Sequence, residues 1–333
     1  MEIVALAFVH VNAILTSERR IVATVISLAE PSAAAAGDVT GPNARVIDVI
    51  NFLSAHPLES FTLSELAAQL GLSNGSAHRV LTTLTDARFL SRHPKHKTYS
   101  LGVALVAIGQ AALEKYRGID TARREMARLT TELKAQCIAT VIVEGERMVL
   151  AKAGTPQTHE EVNRIGERQP LVPPIGLGCV AWSGETAIAA FLARVPVPLD
   201  DTMRAHIQAS FRVIRQRGYS AGANGPVLRS LRQHTILPVG HPRDAAYWQG
   251  IHDHIARLTP NEVQLLDLAD AAGEGVCYMT APVFSPSGTV ELELTLSGMP
   301  TGMSAADMER YGERLRSAAA IVMNEMHGRI PHF

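Results

Sequence analysis

The chain has 333 residues, enough for two domains, and 47% of them are hydrophobic against 19% charged, the make-up of a soluble globular protein. Its net charge of -1 excludes a generally basic, sequence-indifferent nucleic-acid binder, so any affinity for DNA has to come from a local patch. The three cysteines, Cys137, Cys179 and Cys277, are too few and too scattered for a disulfide framework or a zinc knuckle, and a reducing cytoplasm is the expected setting.

Residues 1–43 carry the apolar run MEIVALAFVHVNAIL, which His10 and Asn12 interrupt. It begins with Glu2 where an export signal is basic, and it is too short to cross a bilayer. It reads as an unstructured or loosely helical extension. The Ala-, Gly- and Pro-rich stretch from Pro31 to Asn43 is a flexible lead-in, and no membrane partner is expected.

Residues 44–102 read as a winged helix-turn-helix. A first helix over Ala44–His56 places Val46, Val49, Ile50 and Leu53 on one face and ends at Pro57. In a second helix Leu63, Leu66, Ala67 and Leu70 fall at i, i+3, i+4 and i+7. Gly71 closes that helix with a left-handed backbone, and Ser73 or Asn74 caps the next. The third helix buries Ala77, Val80, Leu81 and Leu84, which turns Gly75, Arg79, Thr82 and Asp86 outward, flanked by Ser76, His78 and Thr83. A short polar face of this kind fits the major groove, where Arg forks onto guanine and Ser, Thr or Asn reach base edges or phosphate. The segment Phe89–Leu101 forms two strands around His93–Lys97 and, with Arg88 just before it, brings Arg92, Lys95 and Lys97 with no acid between them. The expected DNA contacts are therefore Ser73, Asn74, Gly75, Ser76, His78, Arg79, Thr82 and Thr83 on the helix. Arg92, Lys95 and Lys97 add phosphate contacts from the wing. From Ala44 to Arg117 there are eight Lys or Arg against five Asp or Glu, a modest local positive balance that a dimer would double.

Residues 103–117 form an apolar linker helix, which either packs on the second domain or pairs with its counterpart in a dimer. The second domain, 118–330, opens with a helix over Asp120–Lys134 and a hairpin of Cys137–Glu144 and Arg147–Gly154. A strand at Glu161–Ile165 and a Pro-rich loop follow, then helices over Leu177–Arg194 and Leu199–Arg217, the second stopping at Gly218. The clearest strand pair is Val276–Phe284 and Thr289–Ser297, joined by Ser285-Pro286-Ser287-Gly288. Ser304 then caps a final helix. Hairpins flanked by helices argue for an antiparallel sheet and an α+β domain.

Between them, residues 224–275 hold expected helices at Asp244–Leu258 and Pro260–Ala271, together with His234, His241, His252 and His254. On a helix His252 and His254 diverge by about 200 degrees, so the expectation is solvated surface or a subunit contact, with no metal bound.

Several runs resemble a known family. ARVIDVINFL, LSELAAQLGLSNGSAHRVLTTL and a hairpin ending YSLG resemble the DNA-binding domain of the isocitrate-lyase-regulator (IclR) family of bacterial transcription factors. Downstream, VNRIGERQPLVPPIGLGCVAW, FRVIRQRGYSAG and VCYMTAPVFSPSGTVELELTLSGMP resemble later family segments in the same order, so the likeness runs from about Ala44 to about Arg329. It implies a GAF-like effector domain after the linker helix and a dimer, or dimer of dimers, on double-stranded operator DNA. It also implies a cytoplasmic regulator without a cofactor, responding to a small-molecule effector, a small organic acid. The family's pocket positions fall on Gly176, Leu177, Cys277, Thr295 and Ser297. Backbone N–H groups at a helix start attract a carboxylate that two hydroxyls complete. The competing account makes Cys277 a small buried hydrophobe and lets the hydroxyls bond locally.

The chain departs from the family in places. Asn74 and Gly75 stand where Lys and Ser are usual, Pro173-Pro174-Ile175 replaces a small-residue stretch, Cys179 replaces a Lys, and 224–275 is an insert. The rival reading is a cysteine-dependent enzyme with Cys179 or Cys277 as nucleophile and a histidine base. No GxSxG, HExxH or phosphate-binding glycine loop accompanies those residues, so the chain is read as a regulator and not as an enzyme.

Overall fold

The computed structural model describes residues 42–143, 145–155, 163–195, 199–236, 243–271 and 273–331. The expected extension at the start of the chain and His241 of the insert lie outside the described residues. The chain divides into two compact units, and the boundary falls between Asp120 and Thr121.

The smaller unit holds α1 (Pro42–Ala55), β1 (Phe61–Thr62), α2 (Leu63–Gln69), α3 (Asn74–Asp86), β2 (Leu90–Arg92), β3 (Thr98–Leu101) and α4 (Ala104–Leu113). Its core is Val49, Leu53, Leu66, Leu81, Leu84, Leu90 and Tyr99, so the apolar stripes of all three helices meet on one another and on the wing. Burying a leucine such as Leu81 stabilises the unit by roughly 2 kcal/mol. Sequence periodicity did not reveal β1, because two residues are too few to show alternation. It pairs Phe61 with Tyr99 and completes an antiparallel sheet of order β1-β3-β2. The wing returns onto α3 at Gly102, whose N–H donates to the Phe89 carbonyl at 2.7 Å. A Cβ there would stand 2.3 Å from the Arg88 carbonyl oxygen, an approach only glycine tolerates. In contrast to its neighbours, α4 has no buried residue at all.

The larger unit begins with α5 (Ile119–Leu133) and is built on a six-stranded antiparallel sheet. Its strands are β4 (Gln136–Val143), β5 (Glu146–Ala153), β6 (Arg168–Pro170), β7 (Ser220–Ala223), β8 (Val276–Phe284) and β9 (Val290–Ser297), in the order β6-β5-β4-β9-β8-β7. The register gives its two faces opposite characters, since side chains alternate along each strand. Met279, Ala281 and Val283 of β8 pair with Leu296, Leu294 and Leu292 of β9, an apolar face. Against β8 and β9 packs α12 (Ala305–Glu325), which buries Met308, Tyr311, Leu315 and Val322 and is capped by Ser304. The other face is polar. Gln169, Arg147, Thr140, Glu293, Thr295, Thr280 and Ser220 form a row from β6 to β7 through the pairs Arg147–Gln169, Thr140–Glu293, Thr280–Thr295 and Ser220–Thr280.

Several expectations are corrected here. The strand expected at Glu161–Ile165 is not found among the described residues of that stretch; the third strand of the hairpin side is β6, at Arg168–Pro170. The expected helix Leu177–Arg194 is broken into α6 (Leu177–Val180) and α7 (Glu185–Leu192), because Gly184 in extended backbone starts a new helix. Asp200 caps α8 (Asp201–Arg217), and Gly218 at φ 82° ends it. Just before the insert β7, and within it α9 (Pro226–Thr235), were not anticipated. They precede α10 (Ala245–Ile255), α11 (Pro260–Val263) and a 3-10 turn at Leu268–Ala271, which replaces the second expected helix.

Candidate nucleic-acid interface and ligand cavity

The turn between α2 and α3 is set by paired caps. Thr62 and Glu65 form a capping box at the start of α2, the Thr62 N–H donating to Glu65 Oε2 at 2.7 Å. Gly71 takes φ 61°, and Ser73 caps α3 by accepting the Ser76 N–H at 3.3 Å. Of the two residues offered by the sequence as that cap, Ser73 is the one used. Asn74 is therefore the first helical residue, exposed together with Gly75, His78, Arg79, Thr82 and Thr83. Ser76 is half-buried and tied inward, its Oγ accepting from Arg45 Nη1 at 3.2 Å. Thr83 Oγ1 donates to the Arg79 carbonyl at 3.0 Å, so its donor is spent on its own helix. Arg79 and His78 are the long side chains of this face.

The wing is a tight hairpin whose tip is pinned by a histidine. His93 Nδ1 accepts the N–H of Lys95 at 3.3 Å and of His96 at 3.0 Å, which leaves the side chains of Lys95 and Lys97 exposed at the tip. Lys97 sits at φ 58°, a left-handed backbone that a lysine enters at a cost of about 1 kcal/mol. Arg92 lies over the Tyr99 ring, 5.6 Å from its centroid, so its charge is held at the wing's base.

In the larger unit the polar sheet face encloses a cavity of about 40 Å³ walled by Ile138, Arg147, Gln169, Gly176, Leu177, Tyr278, Glu293 and Thr295, among others. At its centre Arg147 Nε donates to Glu293 Oε2 at 2.9 Å, and the side chains are 11% and 2% exposed. Thr280 and Thr295 hydroxyls lie 2.9 Å apart. Tyr278 donates to the Val263 carbonyl at 3.3 Å, and burial pushes its phenol above the ordinary value. Gly176 at φ 102° faces Leu171, and a Cβ would meet the Leu171 side chain at 2.2 Å.

These positions can be set beside known proteins. A sequence model of the IclR helix-turn-helix domain matches residues 44–94. The transcriptional regulator XynR of Escherichia coli is 24% identical over 279 residues, covering 82% of this chain and 92% of that one. Residues 44–94 thus form an IclR-type helix-turn-helix domain, and the chain is similar to a transcriptional regulator over most of its length. The regulator also shares its fold with the crystal structure of Thermotoga maritima IclR (TM-score 0.59, 16% identity, 86% and 98% of the two chains covered). An IclR homologue from Microbacterium hydrocarbonoxydans, solved with 4-hydroxybenzoate, gives a TM-score of 0.52 at 19% identity, with 86% and 99% covered.

Of the positions singled out in the sequence, Gly176, Leu177 and Thr295 stand on the wall of this cavity, and Cys277 and Ser297 do not. Cys277 sits at a β-bulge where Gly222 and Ala223 pair with Tyr278 and Val276, and its Sγ and carbonyl face Arg232 Nη1 at 3.3 and 3.1 Å. Ser297 lies one register further along the polar face, opposite Gln136 and Tyr278, off the wall. The expected carboxylate seat at a helix start is also absent, because α6 is a single turn and the Leu177, Cys179 and Val180 N–H groups already bond the Pro174 and Gly176 carbonyls.

What sequence reasoning missed in the regulator is the charged pair and its companions. Glu293 in VELELTLS and Arg147 in ERMVLAKA alternate with apolar residues, so both read as ordinary solvent-facing strand positions. A second acid is buried nearby: burial pushes Glu167 up to about 7, and its Oε2 accepts the Arg164 N–H at 2.8 Å. Burial also pushes the Cys179 thiol well above its ordinary value, with Glu293 adding to the effect. Among the described residues no cluster of His, Cys, Asp and Glu is arranged to hold a metal ion, and no helix is long and apolar enough to cross a membrane.

Proposed function

We propose that this DNA-binding transcriptional regulator acts in the cytoplasm as a homodimer or dimer of dimers, and that a small organic acid bound in the larger unit changes its grip on operator DNA. The observation that carries the DNA-binding part is the exposed α3 face, with Arg79 and His78 on a capped helix followed directly by a wing that presents Lys95 and Lys97. Asn74, Gly75 and Thr82 complete the base-reading face, and Arg92 joins the wing lysines on phosphate.

Dimerisation is supported by α4, where Val106 is 71% exposed, and by Val103 at its start, 72% exposed. An apolar helix without a buried residue is an element waiting for a partner, and two-fold pairing would match a near-palindromic operator. The effector assignment is supported by the polar cavity, whose wall shares Gly176, Leu177 and Thr295 with the family's pocket positions. The solved relative bound to 4-hydroxybenzoate makes a carboxylic acid the first class to try. Coupling requires that the acid favour one arrangement of the regulator over the other. The cysteines support no thiol chemistry: all three are buried, and a thiol pushed upward is not a thiolate nucleophile at neutral pH.

The test is a fluorescence-anisotropy titration of the full chain against its own upstream intergenic DNA, with random competitor and a salt series. Discrimination that survives salt, and that shifts with an added acid, is the expected result. Equal binding to operator and random DNA at every salt concentration would overturn the proposal.

A further inference from the structure

A glycine inside a helix gives up stability relative to alanine, so each one calls for a reason. At Gly178, Gly250 and Gly312 the reason is packing, since an added Cβ would lie 2.8 Å from Ser220 Oγ, 2.5 Å from the His234 ring and 2.1 Å from the Tyr219 ring. Gly75, the second residue of α3, is different. Its backbone is not left-handed, and a Cβ there would meet nothing within 4 Å. Alanine would fit the protein, so the missing side chain answers to something outside it. Gly109 is in the same position on α4, the helix proposed above to meet its counterpart in a second copy of the chain.

Gly75 shares an edge of α3 with Arg79, one turn on, and a bare edge lets a DNA strand lie closer to the helix than any side chain would allow. The groups beside it are donors. Arg45 of α1 reaches across 31 residues of chain to Ser76, its Nη1 donating to Ser76 Oγ at 3.2 Å. Among the described residues no carboxylate pairs with Arg45, unlike Arg128 and Arg314, which lie against Glu125 and Glu132. Ser76 Oγ accepts from Arg45 and keeps its own hydrogen to give, since among the described residues no acceptor takes it. At the other end of the helix Asp86 is exposed, and a carboxylate there repels phosphate, so the DNA backbone is met by the first turn of α3 and not by the last.

We propose that one phosphodiester of the operator backbone sits on the Arg45 guanidinium and the Ser76 hydroxyl, with the strand passing across the bare edge at Gly75. The inference rests on the reading of α3 as the DNA-facing helix and adds Arg45, on a different helix, to that interface. Two donors and one missing side chain then set α3 into the groove with its first turn deepest, which brings Arg79 within reach of base edges.

Anisotropy titrations of the full chain against its own upstream intergenic DNA across a salt series, with thermal melting of each variant, test it. Gly75→Ala should bind operator about tenfold or more weakly, since an added Cβ holds the strand away. The same variant should melt at the temperature of the unsubstituted chain or higher, because alanine is the better helix former. A purely structural role would not lower affinity while leaving or raising stability. Arg45→Gln, which keeps a donor for Ser76 and loses the charge, should weaken operator binding and lower the salt slope by about one, whereas Arg45→Lys should keep the slope. Gly75→Ala that binds operator normally, or that melts lower, overturns the inference, as does an unchanged salt slope in Arg45→Gln. Arg79→Ala separates the two readings. If it loses operator discrimination while the Gly75 and Arg45 variants bind normally, the α3 face stands and the phosphate site alone falls; if it too binds operator normally, both fall.

Discussion

Glu262 Oε1 accepts the backbone N–H of Val227 at 2.9 Å across 35 residues of chain. The same oxygen takes the Leu228 N–H at 3.0 Å, while Oε2 takes the Thr259 N–H and hydroxyl at 2.9 and 3.0 Å. One buried carboxylate thus caps two helices of the insert, α9 and α11, and satisfies donors that would otherwise be orphaned. Since α9 carries Leu228 and Arg232 to the cavity wall, this cap positions part of the proposed ligand site.

Glu262→Ala should therefore destabilise the larger unit by about 3 kcal/mol, the cost of several charge-assisted bonds lost together. Urea unfolding read by circular dichroism measures it. A loss below about 0.5 kcal/mol would mean that water replaces the carboxylate. Gly225→Ala should fail in the same direction, because its Cβ would fall 2.1 Å from Glu262 Oε1.

On the DNA face, two substitutions should separate reading from gripping. Arg79→Ala is expected to lower operator affinity by about 1 to 3 kcal/mol and to flatten discrimination against random DNA. Lys95→Ala should instead weaken both DNAs alike and reduce the salt slope by about one. Anisotropy titrations across salt give both numbers. A uniform loss from Arg79→Ala would reassign that side chain to the phosphate backbone.

The smaller unit was legible in the sequence because its helices bury a single stripe each and are punctuated by Gly71 and Pro57. The insert was not, for a physical reason. The Glu262 cap joins residues 35 apart, and no local pattern announces that a carboxylate will fold back onto α9. The split of the Leu177–Arg194 helix was missed because Ser183 and Gly184 are tolerated inside a helical pattern, and only tertiary packing decides between a weak helix and two caps. For the cavity, resemblance supplied Gly176, Leu177 and Thr295, which are defined by local chain shape. Arg147 and Glu293 are defined by strand register, which places a residue of β5 beside one of β9 across β4.

The buried acid Glu167 should make stability depend on pH. Its folded value, about 7, lies above the ordinary 4.5, so the folded state holds a proton that the unfolded chain releases. With more protons bound when folded, stability falls as pH rises from about 4.5 to about 7 and levels off above that, a total of order 3 kcal/mol. Glu167→Gln should remove this slope, gaining more in melting temperature at pH 8 than at pH 5. Equal gains at both pH values would show that Glu167 is already ionised in the fold.

The apolar face of α4 gives a prediction about assembly. Val106 is 71% and Ile108 50% exposed, on a helix that buries nothing within its own chain. If α4 pairs with its counterpart, Val106→Glu sets two like charges against each other in a surface that would otherwise be dry, and the dimer should weaken by at least about tenfold in dissociation constant. Light scattering across a concentration series measures the shift, and circular dichroism checks that each protomer stays folded. Operator affinity should fall with it, since a two-fold site is gripped by two α3 helices at once. A variant that stays dimeric and binds operator normally would place the subunit interface on another surface and leave α4 a spacer.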